Sequence, residues 1–141
     1  MYIFDTDHFS LLERKDNPEG QRLYFRFSSL KPEERVTTII AFEEQMRGWT
    51  AYLAKARSVK DQVAVYRKLK KSLEHYCKIQ VLDFDERAAE EFGRLQKQRI
   101  RIGTMDLKIA AITLAHNATL LSRNLRDFSR VPDLKVEDWS V

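Results

Sequence analysis

Apolar and polar positions fall into two kinds of block along the chain. Five short runs rich in apolar and β-branched residues predict strands: Met1-Tyr2-Ile3-Phe4, Val36-Thr37-Thr38-Ile39-Ile40, Ile79-Gln80-Val81-Leu82, Ala118-Thr119-Leu120-Leu121 and Leu134-Lys135-Val136. Between them lie longer stretches with apolar positions three and four apart, which predict helices. Residues 9–14 form a first turn or two, and residues 21–30 a helix with Leu23, Phe27 and Leu30 on one side. Residues 41–55 form a helix striped by Phe42, Met46, Trp49 and Leu53. Ser58 caps a long helix over 59–75, packed through Val63, Tyr66, Leu69 and Leu73, with Arg67, Lys68, Lys70 and Lys71 as its wet face. Asp85 caps a helix over 86–98 that packs through Ala88, Ala89, Phe92 and Leu95. Asn17-Pro18-Glu19-Gly20, Lys31-Pro32-Glu33-Glu34 and Val131-Pro132-Asp133 read as breaks and turns, and residues 125–128 as a short turn or helix.

The stretch from Ile102 to Asn124 is the most informative. Gly103 ends the preceding element, Thr104 reads as an N-cap, and Asp106 falls in the first helical turn, where the dipole favours a carboxylate. Residues 105–115 are apolar almost all round, Lys108 and Thr113 excepted, so this helix is expected to be buried. The short apolar run after it suits a strand covered on both faces. Strands alternating with helices predict an α/β fold with a mainly parallel central sheet, and the length of 141 residues suits a single domain over 1–141.

Composition narrows the function. Hydrophobic residues make up 43% of the chain and charged residues 33%, an ordinary globular balance. There is no apolar run of membrane-spanning length and no signal-peptide pattern, so no membrane partner is expected. Cys77 is the lone cysteine, which rules out an internal disulfide and suits a reducing cytoplasm, with the thiol read as a small buried hydrophobe. Only four glycines are present and none forms a G-x-G-x-x-G loop, which disfavours dinucleotide binding. The net charge of +4 fits a nucleic-acid partner, with Arg99 and Arg101 the basic residues nearest Asp106 in sequence.

Four acids stand at element boundaries: Asp5 after the first strand, Glu44 in the helix after the second, Asp106 at the head of the buried helix, and Asp127 beyond the strand that precedes Ser122. The carboxyl ends of parallel strands face the ligand crevice, so these acids have positions from which they can converge on one rim. An oxygen-only donor set suits Mg²⁺ or Mn²⁺, which activates water and supports phosphodiester hydrolysis. Taken singly, each acid also reads blandly: Asp5 as a loop-start acid, Glu44 as an ion-pair partner of Arg47, Asp106 as a first-turn acid. A phospho-accepting receiver domain is disfavoured, because Asp5 and Asp7 are not adjacent and no strand-end acceptor with a late lysine is apparent. His8, His75 and His116 show no mutual metal spacing, and Trp49 and Trp139 read as packing residues.

Five stretches resemble, in order and spacing, PIN-domain ribonucleases of the VapC toxin type: Ile3-Phe4-Asp5-Thr6-Asp7-His8, Thr38-Ile39-Ile40-Ala41-Phe42-Glu43-Glu44-Gln45-Met46-Arg47-Gly48, Ile102-Gly103-Thr104-Met105-Asp106-Leu107-Lys108-Ile109-Ala110, Leu120-Leu121-Ser122-Arg123-Asn124-Leu125-Arg126-Asp127-Phe128, and the ending from Arg130 to Trp139. The resemblance spans nearly the whole chain and implies a three-layer α/β/α PIN-like domain. Position by position, it implies Asp5, Glu44 and Asp106 as ligands of at least one Mg²⁺, which Mn²⁺ can replace; Glu44 is preferred to Glu43 because it lies four residues before Gly48. It implies Asn124 as a further ligand position and Asp127 as a supporting catalytic acid. Thr6 and Ser122 would hydrogen-bond the cluster or its waters, and Arg123 and Arg101 would contact the substrate. The activity implied is an endoribonuclease, the toxin of a type II toxin–antitoxin pair, cutting RNA with a metal-activated water. A homodimer in the cytoplasm, inhibited by a small VapB-type antitoxin whose tail masks the acids, completes what the resemblance implies. The alternative is a PIN-fold module that binds RNA or protein without cutting it, its metal affinity weakened by Asn124 and Arg123.

Overall fold

The computed structural model describes residues 1–14 and 16–141. In chain order the elements are β1 (Tyr2–Phe4), α1 (Thr6–Leu11), α2 (Pro18–Ser29), a 3₁₀ turn (Pro32–Glu34), β2 (Val36–Thr38), α3 (Ile39–Lys55), α4 (Val59–Tyr76), β3 (Gln80–Leu82), α5 (Glu86–Lys97), α6 (Thr104–Ala115), β4 (Thr119–Leu121), α7 (Leu125–Phe128) and β5 (Lys135–Glu137). The strands form a single sheet in the order β3-β2-β1-β4-β5, and every pairing is parallel. β1 therefore sits at the centre, with Ile3 opposite Val36 on one side and Leu120 on the other.

Side chains alternate across the strands and fill two cores. Ile3, Val36 and Leu120 point into a core built by α5 and α6, with Leu95, Ile109 and Ile112 fully buried. Phe4 and Leu121 point the other way, against Phe9, Leu11, Leu23 and Tyr76. The sheet is thus covered on both faces, as an α/β/α architecture requires. α6 buries seven of its residues, the all-round burial its sequence predicts. Burying Ile109 and Ile112 contributes roughly 1.5–3 kcal/mol each relative to exposure. No helix among the described residues is long and apolar enough to cross a membrane.

The differences from the sequence reading lie at element ends and in two apolar stripes: Val63, Tyr66 and Leu73 of α4 are exposed while Ser72 and Tyr76 are buried, and Ala89 of α5 is exposed. α1 starts at Thr6 rather than near residue 9, because Asp5 caps it directly after β1. α2 starts at Pro18: Asn17 is its N-cap and Pro18 its first residue, so Asn17-Pro18 begins a helix where the sequence suggested a break. β2 ends at Thr38, whose hydroxyl accepts from Ala41 N–H and caps α3, so Ile39 and Ile40 are helical. Gly103, and not Thr104, holds the N-cap position of α6, without a side-chain cap bond. Cys77 is exposed just past the end of α4, not buried. The caps Ser58 and Asp85 stand where the sequence places them.

Candidate active site at the carboxyl edge of the sheet

β1, β2 and β4 each deliver a polar residue at their carboxyl ends. Asp5 follows Phe4 and stays in the sheet through its N–H, which donates to Leu121 O at 3.1 Å. Its Oδ1 accepts from the His8 N–H at 3.0 Å, so one buried carboxylate both caps α1 and faces the edge. Burial, then the hydrogen bond and charge of Asp7, hold the Asp5 carboxyl well above the usual range, against the bonds from His8 N–H and Ser122. Burial also pushes Asp7 upward, but the hydrogen bonds from His8 and Asp5, with the charge of Arg123, outweigh it and leave Asp7 low. The pair therefore shares a proton, with Asp7 the carboxylate that accepts it.

His8 is fully buried behind this pair. Its Nε2 accepts from the Trp139 N–H at 3.1 Å, so a neutral ring carries its proton on Nδ1 and donates to Asp7 Oδ1 at 3.0 Å. Asp5, Asp7 and His8 form a group whose ligand-type atoms lie within 4.8 Å of one another. With both ring nitrogens engaged, however, His8 orients Asp7 and has no lone pair left for a metal.

Glu44 lies in the second turn of α3, and its Oε1 accepts from Thr6 Oγ1 at 2.7 Å. Glu43 instead pairs with Arg47 at 2.5 Å on the solvent side, so the bland ion-pair role falls to Glu43. Asp106 stands in the first turn of α6, and its carboxyl is pushed up to about 6 by burial first, then by the charges of Glu44, Asp127 and Asp7. Acids from three other segments thus add to the effect of burial on Asp106 at this edge. Ser122, buried after β4, bonds Asp5 and accepts from the Asn124 N–H at 3.0 Å. Asn124 caps α7 and donates from Nδ2 to Asp127 Oδ2 at 3.1 Å. Arg123 is exposed and pairs with Glu19 at 3.0 Å and, more loosely, with Asp7 at 3.8 Å. Arg101 lies exposed in the connection before α6, where its carbonyl accepts from Arg130 Nη1 at 2.8 Å; its side chain approaches none of the acids in an ion pair among the described residues.

Asp7 and His8 are the participants the sequence reading did not place in the cluster. The signal was there in principle: two acids two residues apart at a strand end, with the next residue one helical turn from the first. What hid it was reading the start of α1 three residues late.

Chemically, the edge offers carboxylate, amide and hydroxyl oxygens: among the described residues Asp5, Asp7 and His8 are grouped within 4.8 Å, Glu44 and Asp106 stand outside that group, and burial first of all keeps Asp5 and Asp106 from ionising. Such a set fits a hard divalent cation, whose charge relieves the repulsion.

The family model described as PIN domain matches residues 2–134. The chain is 29% identical to Ribonuclease VapC1 of Haemophilus influenzae over 99% of its own length and 98% of that protein's. It is 33% identical to Ribonuclease VapC2 of Rickettsia felis over 44% of this chain, a match that spans about half of that relative, 49%. Among solved structures it superposes on the DNA-bound VapBC of Salmonella typhimurium with a TM-score of 0.77, at 23% identity over 98% of this chain and 97% of that one. VapBC-1 of nontypeable Haemophilus influenzae gives a TM-score of 0.70 at 26% identity over 99% and 98% of the two chains.

Proposed function

The chain belongs to the PIN-domain family, and on that premise we propose that it is a Mg²⁺-dependent endoribonuclease, the toxin of a toxin–antitoxin pair. The observation that carries this reading is geometric: Asp5 lies buried at the carboxyl edge of a parallel sheet with ligand-type atoms of Asp7 and His8 within 4.8 Å, and Glu44 is tied to the neighbouring Thr6. Full-length similarity to a protein named Ribonuclease VapC1, and a fold shared with VapBC complexes, support the substrate class and a VapB-type partner. A homodimer and a cytoplasmic site of action belong to the same proposal.

Asp5, Glu44 and Asp106 would hold the cation, with Asn124 as a further oxygen donor. When bound, Mg²⁺ or Mn²⁺ supplies an activated water and stabilises the leaving oxygen. The remaining work falls to this chain. Thr6 holds Glu44 by its hydroxyl, and Ser122 and the His8 N–H hold Asp5. His8 fixes the Asp7 carboxylate, which accepts the hydrogen bond from Asp5. Asp127, oriented by Asn124, stands ready to accept a proton at the edge. Arg123 and Arg101 would meet phosphates of the RNA.

The test is cleavage of a structured RNA with Mg²⁺ and its loss with EDTA. Asp5→Asn and Asp106→Asn should each abolish cleavage with the circular dichroism spectrum unchanged. Full cleavage in either variant removes that residue from the mechanism. Binding of RNA without cleavage in any divalent ion leaves the non-cutting module instead.

A further inference from the structure

A cavity of about 480 Å³ opens beside Glu44, between α1, α3 and α4. Glu44, held by Thr6, stands at its edge, so the cavity is continuous with the acid cluster. Trp49 and Tyr52 line one wall from successive turns of α3, their rings 5.8 Å apart. Lys68 and Lys71 line the facing wall from successive turns of α4, and neither joins an ion pair among the described residues. Gln45 lies between the walls, nine-tenths buried: its Nε2 donates to Ser10 Oγ at 3.3 Å, while its Oε1 accepts no hydrogen bond. Thus Trp49 borders a cavity rather than only packing, and two lysines expected on a plain wet face share its lining.

We propose that this cavity is a nucleotide subsite, seating one unpaired base of the RNA strand next to the cleavage position. The proposal rests on the nuclease reading above. Aromatic faces beside unpaired cations are what a single strand needs: the base stacks, the phosphates meet ammonium groups, and no particular base is required. Tyr52 is 62% exposed, so its ring is available for stacking without rearrangement of the fold. The size fits a small-molecule pocket and therefore one nucleotide rather than a duplex, whose bases stay stacked inside the helix. Arg14, Lys68 and Lys71 outnumber Glu13 and Glu44 in the lining, which favours a polyanion over an apolar peptide segment.

The experiment measures binding of a short labelled single-stranded RNA, and of the same sequence as a duplex, to the D106N protein, which leaves the strand uncut. Tyr52→Ala, at an exposed position that does not threaten folding, should weaken single-strand binding roughly 5- to 150-fold, the span of one base–aromatic stack, and leave duplex binding unchanged. The double substitution K68A/K71A should flatten the dependence of log K on log salt by about 1.4, two phosphates at about 0.7 each. The RNA should quench tryptophan emission, and Trp49→Phe should remove that quenching. Unchanged affinity in Y52A together with an unchanged salt slope overturns the proposal. So does a cavity whose variants leave RNA binding intact but weaken capture of a VapB-type protein, which makes it a protein groove. Failure of the nuclease reading shows separately, as absence of cleavage by the unaltered protein in Mg²⁺.

Discussion

Replacing a candidate metal ligand should make the metal-free protein more stable. Asp106 is the case in which the magnitude can be worked. Its carboxyl holds its proton up to about 6 in the folded protein against an ordinary 3.8, because burial and then Glu44, Asp127 and Asp7 oppose its charge. Between those two pH values the folded state binds a proton that the unfolded chain has released. Stability from this group is therefore full below 3.8 and falls as pH rises through about 6. At about 1.4 kcal/mol for each tenfold change in proton affinity, the gap sets a ceiling of about 3 kcal/mol above that window. The site is partly solvated, which screens the repulsion, and the charge also gains roughly 0.3–1 kcal/mol from the N-terminal turn of α6. Asp106→Asn keeps the shape and removes the charge, so it should stabilise by about 1–2 kcal/mol at neutral pH, raising Tm by roughly 3–10 °C for a chain of this size. The assay is urea unfolding followed by circular dichroism, in EDTA, from pH 4 to pH 8. The gain should vanish at the acid end. Saturating Mg²⁺ should reverse the order, since a ligand at a hundredfold its Kd adds about 2.7 kcal/mol to the protein that binds it. A variant no more stable than the parent at neutral pH in EDTA, or one equally stabilised at pH 4, refutes the electrostatic argument.

The other two predictions concern what holds the site in place. His8→Phe removes both the acceptor for Trp139 N–H and the donor to Asp7, the carboxylate bonded to the ligand Asp5; Mn²⁺ affinity by calorimetry should fall about 10- to 100-fold, the usual effect of losing a group behind a ligand. His8→Asn, whose amide can still reach Asp7, should recover part of that loss, and equal affinities in the two variants would show that His8 only packs. Gly20→Ala would set a Cβ on top of the Arg14 carbonyl oxygen and 2.9 Å from that of Leu11, both backbone atoms that cannot swing away. It should destabilise by about 1–3 kcal/mol in urea unfolding, the range for overpacking, and an unchanged midpoint would refute that account.

Much of the fold could be read because period and punctuation agreed. The caps Ser58 and Asp85 precede stretches with clean helical spacing, and α6 is apolar on most sides, which favours a buried helix. The misreadings arose where one residue has two duties. Thr38 ends β2 and caps α3, so its β-branched run appears longer than the strand it forms. Asp5 ends β1 and caps α1, which concealed the first turn and with it Asp7 and His8. The tie between His8 and Trp139 spans the chain, and local pattern carries no information about it. Glu43 and Glu44 are equivalent in composition; only helix rotation in the fold sends one to Arg47 and the other to Thr6.

The central position of β1 has a consequence for the order of events during synthesis. The first strand to leave the ribosome must wait for the fourth: Ile3 pairs with Leu120, and Asp5 gains its backbone tether only when Leu121 arrives. At about 5–20 residues per second, that delay is roughly 6–25 s per chain. A nascent polypeptide therefore cannot gather Asp5 and Asp106 at one edge before β4 has been made, so topology alone delays assembly of the acid cluster.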